Sequence, residues 1–100
     1  VTDRELLELA AKATGINIKM DRIDADDKFI GFIVGARNTG KKSAWNPLTD
    51  DGDALRLAVK LGLFMRQAVK EIPRSEYEKD PYAATRRAIV RAAAAIGAAP

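Results

Sequence analysis

Trp45-Asn46-Pro47-Leu48-Thr49-Asp50-Asp51-Gly52-Asp53-Ala54-Leu55-Arg56-Leu57-Ala58-Val59-Lys60-Leu61-Gly62-Leu63 gathers three aspartates around one glycine and then runs into an apolar stripe. Such a stretch can start a helix or hold a ligand. A helix N-terminus has unpaired amides and a partial positive charge, so aspartates in its first turn are stabilising. Thr49, or Asn46 ahead of Pro47, supplies a capping side chain, with Asp50, Asp51 and Asp53 in or just before the first turn. A calcium loop needs alternate acidic positions and a distant bidentate Glu, and this spacing has neither. Capping is the expectation, with Leu55, Ala58, Val59 and Gly62 on one side of the helix and Ala54, Leu57 and Leu61 on its flank. Trp45, the single Trp of the chain, is expected to close the core over the incoming loop.

Toward the N-terminus the pattern is firm. Thr2-Asp3-Arg4-Glu5 is a capping box, and Leu6, Leu9, Ala10 and Ala13, widened by Leu7, recur at helical spacing. Gly15 is the natural left-handed stop, so the first helix is expected over Asp3 to Thr14. Ile16, Ile18 and Met20 then alternate with Asn17, Lys19 and Asp21, as in a half-buried strand. Asp24 to Asp27 is a polar turn. Phe29 to Val34 is apolar on both faces and reads as a central strand covered on both sides. Two strands so close pair antiparallel. Arg37-Asn38-Thr39-Gly40-Lys41-Lys42 has turn chemistry.

Toward the C-terminus, Leu63, Met65, Gln67 and Val69 alternate with Phe64, Arg66, Ala68 and Lys70. A third strand over 63–72 is expected there, the alternative being a continuation of the helix. Pro73 to Lys79 reads as a charged, exposed loop. Asp80-Pro81 opens the last helix, with Asp as cap and Pro at the first position. Tyr82, Ile89, Ala93 and Ile96 are expected on its buried face, Val90 at the edge, Arg87 and Arg91 opposite, and Gly97 at its end. Arg86 falls close to the apolar stripe and is expected to snorkel or to meet a carboxylate of a neighbouring element. The order α-β-β-α-(β)-α is that of one α+β domain over residues 1–100, a small antiparallel sheet packed with helices.

Composition narrows the function. Hydrophobic residues at 47% and charged residues at 31% suit a folded globular chain. The polar, acidic first residues do not have the pattern of a secretory leader, and no apolar run approaches the ~20 residues of a membrane span. A cytoplasmic, membrane-free protein is expected. Cys and His are both absent, which removes disulfides, thiol nucleophiles, Cys/His zinc sites and the commonest acid–base side chain. Ser43, Ser75 and Tyr77 have no histidine to activate them. Gly31, Gly35 and Gly40 make no phosphate loop, and Asp26-Asp27-Lys28 lacks a partner acid for nuclease chemistry. No catalytic residue, metal or cofactor is expected. The net charge of +3 is a mild excess, concentrated in Arg37, Lys41 and Lys42 and in Arg86, Arg87 and Arg91. Of these, Arg37, Lys41 and Lys42, or the Arg87/Arg91 face, form the candidate surface for a partner or for nucleic acid.

Several of these motifs together resemble a known family. Trp45-Asn46-Pro47-Leu48-Thr49-Asp50-Asp51-Gly52-Asp53-Ala54-Leu55, followed by Leu57 to Leu61, is similar to the phage ABA (alpha-beta-alpha) sandwich domain of small phage and prophage proteins. Asp80-Pro81-Tyr82-Ala83-Ala84-Thr85-Arg86-Arg87-Ala88-Ile89-Val90 and the opening Thr2 to Ala13 look like theirs as well. Likeness is least from Asp21 to Ser43 and from Arg66 to Lys79. The resemblance implies a sheet held between helices, a temperate-phage or prophage gene expressed in a host bacterium, and no catalytic residues to carry over. Its signature positions here are Trp45, Asn46, Pro47, Thr49, Asp50, Asp51, Asp53 and Arg86. The expected function is a non-enzymatic accessory protein that binds a host or phage macromolecule, a host-defence factor among them. The alternative is a small nucleic-acid-binding module. Open sheet edges leave room for a homodimer.

Overall fold

A computed structural model describes residues 1–35, 40–63 and 65–99, the side chains of Met65, Gln67 and Val69 excepted. Among the described residues the elements are α1 (Asp3–Thr14), β1 (Asn17–Ile23), β2 (Phe29–Gly35), β3 (Lys42–Trp45), α2 (Asp51–Leu61), α3 (Met65–Lys70), α4 (Arg74–Lys79) and α5 (Pro81–Ala98). The class is α+β: a three-stranded antiparallel sheet, order β1-β2-β3, packed with helices. The helix–sheet–helix succession is consistent with an alpha-beta-alpha sandwich. The radius of gyration, 13.5 Å, is close to the ~13 Å of a folded chain of this length.

Helix α1 begins and ends on its local signals. The Thr2 hydroxyl accepts from the Glu5 amide at 3.1 Å, and Gly15 turns left-handed at φ 73°. Leu7, Ala10 and Ala11 are buried. The next strand does not alternate as simply as its sequence. A register shift between Ile18 and Met20 makes Lys19 an extra residue in β1. Ile18 pairs with Val34 and Asp21 with Phe32 on the core side, whereas Met20 pairs with Ile33 on the other. Met20 is consequently 55% exposed, not a partner of Ile18 in the core. Asp24 shapes the hairpin that follows: its carboxylate accepts from the amides of Asp26 and Lys28. That role accounts for Asp24.

Strand β2 is central, with Phe32 fully buried. The expected cover on both faces is present on one. On the other, Ile33 is half-buried between Met20 and the exposed Ala44. The third strand is β3, not residues 63–72. Lys42, Ser43 and Ala44 are exposed and only Trp45 is buried, so this edge strand has no apolar alternation to betray it. Of the turn expected over 37–42, Arg37, Asn38 and Thr39 lie outside the described residues, as does Phe64.

The alternation after Gly62 resolves as helix α3. Gly62 adopts φ 62° and ends α2, its amide bonding to Val59 O at 3.1 Å. The Leu63 amide returns to Ala58 O at 2.9 Å, and the helix resumes at Met65. The charged segment 73–79 is not a loop but carries α4, which has no buried residue. In α2 the buried face lies on the expected flank: Ala54 and Leu57 are buried, with Ala58 the one residue of the expected side to join them, while Leu55 and Val59 are exposed.

Helix α5 holds the assembly together. Its buried residues are Ala84, Ala88, Ile89, Val90, Ala93, Ala94 and Gly97. Tyr82 and Ile96, expected inside, are exposed, because the buried stripe is built from alanines. Gly97 is not a stop. A Cβ there would lie 1.9 Å from the Leu9 carbonyl oxygen, so the backbones of α5 and α1 touch at this point. Near the other end of the seam, Arg87 holds Asp3 with two hydrogen bonds of 3.0 and 3.3 Å. The two helices therefore run side by side in the same direction, and small residues permit the approach. Leu7, Phe32, Trp45, Leu48, Leu57, Ile89 and Val90 belong to the single core cluster below.

Candidate functional site

The cap of α2 is Asp50, not Thr49 or Asn46. Its carboxylate accepts from the Asp53 amide at 2.7 Å. Asn46 is used otherwise: its side-chain oxygen accepts from the Leu48 amide at 3.0 Å, and its carbonyl accepts from the amides of Thr49 and Asp50. This Asn-Pro turn must finish before the helix can begin, which moves the cap along to Asp50. The Asn46 side-chain amide also donates to Ile30 O at 2.9 Å, tying the turn to β2 beside Gly31. Gly31 is required at this contact: its φ is 126°, and a Cβ would meet Asn46 Cβ and Trp45 O at 2.8 Å.

Asp53 is 8% exposed; it accepts from the Asn46 amide at 2.9 Å and from Arg56 at 2.7 Å. Asp51 meets Arg86 at 2.7 Å. Arg86 also donates from Nε to Leu48 O at 2.9 Å, so it joins α5 to the turn before α2. Pro47 and Trp45 are buried beneath. Asp50 and Asp53 both face the Arg56 guanidinium, at 3.9 and 2.7 Å, while Asp51 pairs with Arg86, so the charge these carboxylates meet is supplied by arginine. Among the described residues, no group of three or more Asp and Glu side chains is placed to hold a metal ion.

The basic residues are similarly dispersed. Arg87 belongs to Asp3, Arg4 to Asp21 and Glu8, and Arg74 to Glu78. Hydrogen bonding to the Asp21 carboxylate raises the Arg4 guanidinium above its ordinary value. Arg4 also lies 5.5 Å from the centre of the Phe32 ring. Arg91, Lys41 and Lys42 are exposed; Arg37 lies outside the described residues. Arg87 and Arg91 are on α5, whereas Lys42 opens β3.

A different feature gathers side chains from several helices. Leu55 of α2, Tyr77 of α4, and Pro81, Tyr82 and Ile89 of α5 line a groove of about 470 Å³, with the Asp51–Arg86 pair at its border. Leu55 is 62% and Tyr82 70% exposed. Val59, one turn beyond Leu55, is exposed too. No protein-family model, curated protein or solved structure matches this chain. The groove is thus read from its own chemistry. It is apolar and aromatic, with two phenol hydroxyls and no nucleophile–base pair. Sequence periodicity misses it by assigning Leu55, Val59 and Tyr82 to the core. The usable signal was the competing stripe Ala54, Leu57, Ala58 and Leu61, which buries the opposite side of α2. Among the described residues no helix is long and apolar enough to cross a membrane.

Proposed function

We propose that this chain is a non-enzymatic binding protein whose principal contact is the groove formed by Leu55, Tyr77 and Tyr82. Its partner is a protein that inserts an apolar side chain between the two tyrosines. One observation carries the proposal: large apolar side chains from three helices converge, exposed, on one concavity. Burying tyrosine and leucine in a pocket is the chemistry of interface hot spots. The aspartates beside the groove, by contrast, are spent on a helix cap and ion pairs. The resemblance to small phage and prophage proteins suits an accessory role, with host-defence factors among the candidate partners.

The test is capture from nuclease-treated host extract by the tagged protein, in parallel with Leu55→Asp/Tyr82→Asp and with Lys41→Glu/Lys42→Glu. The proposal expects a protein retained by the wild type and by the lysine variant but lost from the groove variant. Binding that depends on Lys41 and Lys42, disappears with nuclease and weakens steeply with salt would overturn it in favour of a nucleic-acid module.

A further inference from the structure

The outer face of the sheet is a second surface with a charge of its own. Cross-strand register puts Met20, Ile33 and Ala44 in one row. In the neighbouring row Gly35 lies between Asn17 and Lys42, and the Lys19 stem covers it: a Cβ on Gly35 would be 2.6 Å from Lys19 Cε. The face therefore has an apolar centre and two exposed ammonium groups, Lys19 and Lys42, along one margin. The acid of β1, Asp21, sits in the Phe32 row on the opposite side and is held by Arg4. No carboxylate occupies the outer rows, and among the described residues Lys19 and Lys42 have no ion-pair partner. We infer that this face docks an acidic amphipathic helix of a partner protein, its apolar side chains on Met20–Ile33–Ala44 and its carboxylates against Lys19 and Lys42.

Charge complementarity selects this occupant. A single-stranded nucleic acid would need exposed aromatic rings for base stacking. Phe32 and Trp45 are in the row that faces the core, Phe29 packs on the core, and both tyrosines are on the helices. A second copy of this chain would present the same lysines and, on this face, no carboxylate to match them. The interface is separate from the helical groove, so either can fail without the other.

The probe is a synthetic amphipathic peptide of Glu and Leu, titrated into the full chain and followed by backbone amide shifts. The largest shifts are expected at Ile18 to Met20, Ile33 and Lys42 to Ala44. In Lys19→Glu/Lys42→Glu the peptide should bind about tenfold more weakly, while a Lys/Leu peptide should gain. Lys42→Gln, on an exposed edge position, gives a smaller loss in the same direction should the double variant fold poorly. Shifts centred on Leu55 and Tyr82, the absence of saturable binding, or tighter binding of an oligonucleotide or of anionic vesicles than of the acidic peptide would each overturn the inference.

Discussion

The seam between α1 and α5 and the outer face of the sheet are opposite uses of small residues. At the seam, Ala10, Ala11, Ala93, Ala94 and Gly97 are buried and let two helix backbones meet. On the sheet, Ala44 and Gly35 leave a flat surface that helps expose Met20 and Ile33. The difference lies in what stands opposite. A helix backbone faces the first set, whereas of the second Gly35 meets only the stem of Lys19 and Ala44 is exposed. Small size thus records close packing only where a second element supplies the contact.

Substitutions can break this comparison in a graded way. Gly97→Ala has the largest expected effect, since its methyl group collides with the Leu9 carbonyl and the helices must part. A loss of about 1–3 kcal/mol or more is expected, read as a fall in Tm of about 4–8 °C per kcal/mol. Gly31→Ala should come close behind, because it combines a positive φ with a clash against Asn46 and Trp45; its chemical denaturation midpoint should drop by a similar order. Arg87→Ala removes the paired contact to Asp3 at the rim of the seam. As a half-exposed ion pair it should cost about 1 kcal/mol or less, diminishing in high salt. Leu55→Ser lies on the open side and should leave Tm nearly unchanged, within about 0.5 kcal/mol. If it instead unfolded the protein as Gly97→Ala does, the groove would be core and not surface.

What the sequence revealed follows from how local each signal is. Thr2, Glu5 and Gly15 act within a turn of their own position, and α1 has the limits they predict. Asp80-Pro81 opens α5 for the same reason, with Asp80 accepting from the Ala83 amide at 3.1 Å. Several misread features depend on distant partners. Gly97 carries no local mark that separates a stop from a notch; only the passage of Leu9 decides it. The Lys19 bulge reverses the side to which Met20 points, and no periodicity encodes that. β3 is an exposed edge whose pairing with β2 comes from the backbone. The candidate site shows the same division. Asp50 to Asp53 were legible as a helix start, though the cap moved because Asn46 had been taken by its own turn. The groove was not legible, since Leu55, Tyr77 and Tyr82 meet only once three helices have packed.

The central claim is that the acid cluster at residues 50–53 builds the fold, as a helix cap, an anchor for the Asn46 amide and ion pairs to Arg56 and Arg86. Thermal unfolding of the wild type and of Asp53→Asn, each with and without millimolar Mg²⁺ or Ca²⁺, tests it most directly. Asp53→Asn weakens the half-buried bonds to Asn46 and Arg56 and should lower Tm by the equivalent of about 1–3 kcal/mol, with neither protein responding to the cation. A cation-dependent rise in the wild-type Tm that vanishes in Asp53→Asn would mean that the aspartates converge on a bound ion, and would contradict the account.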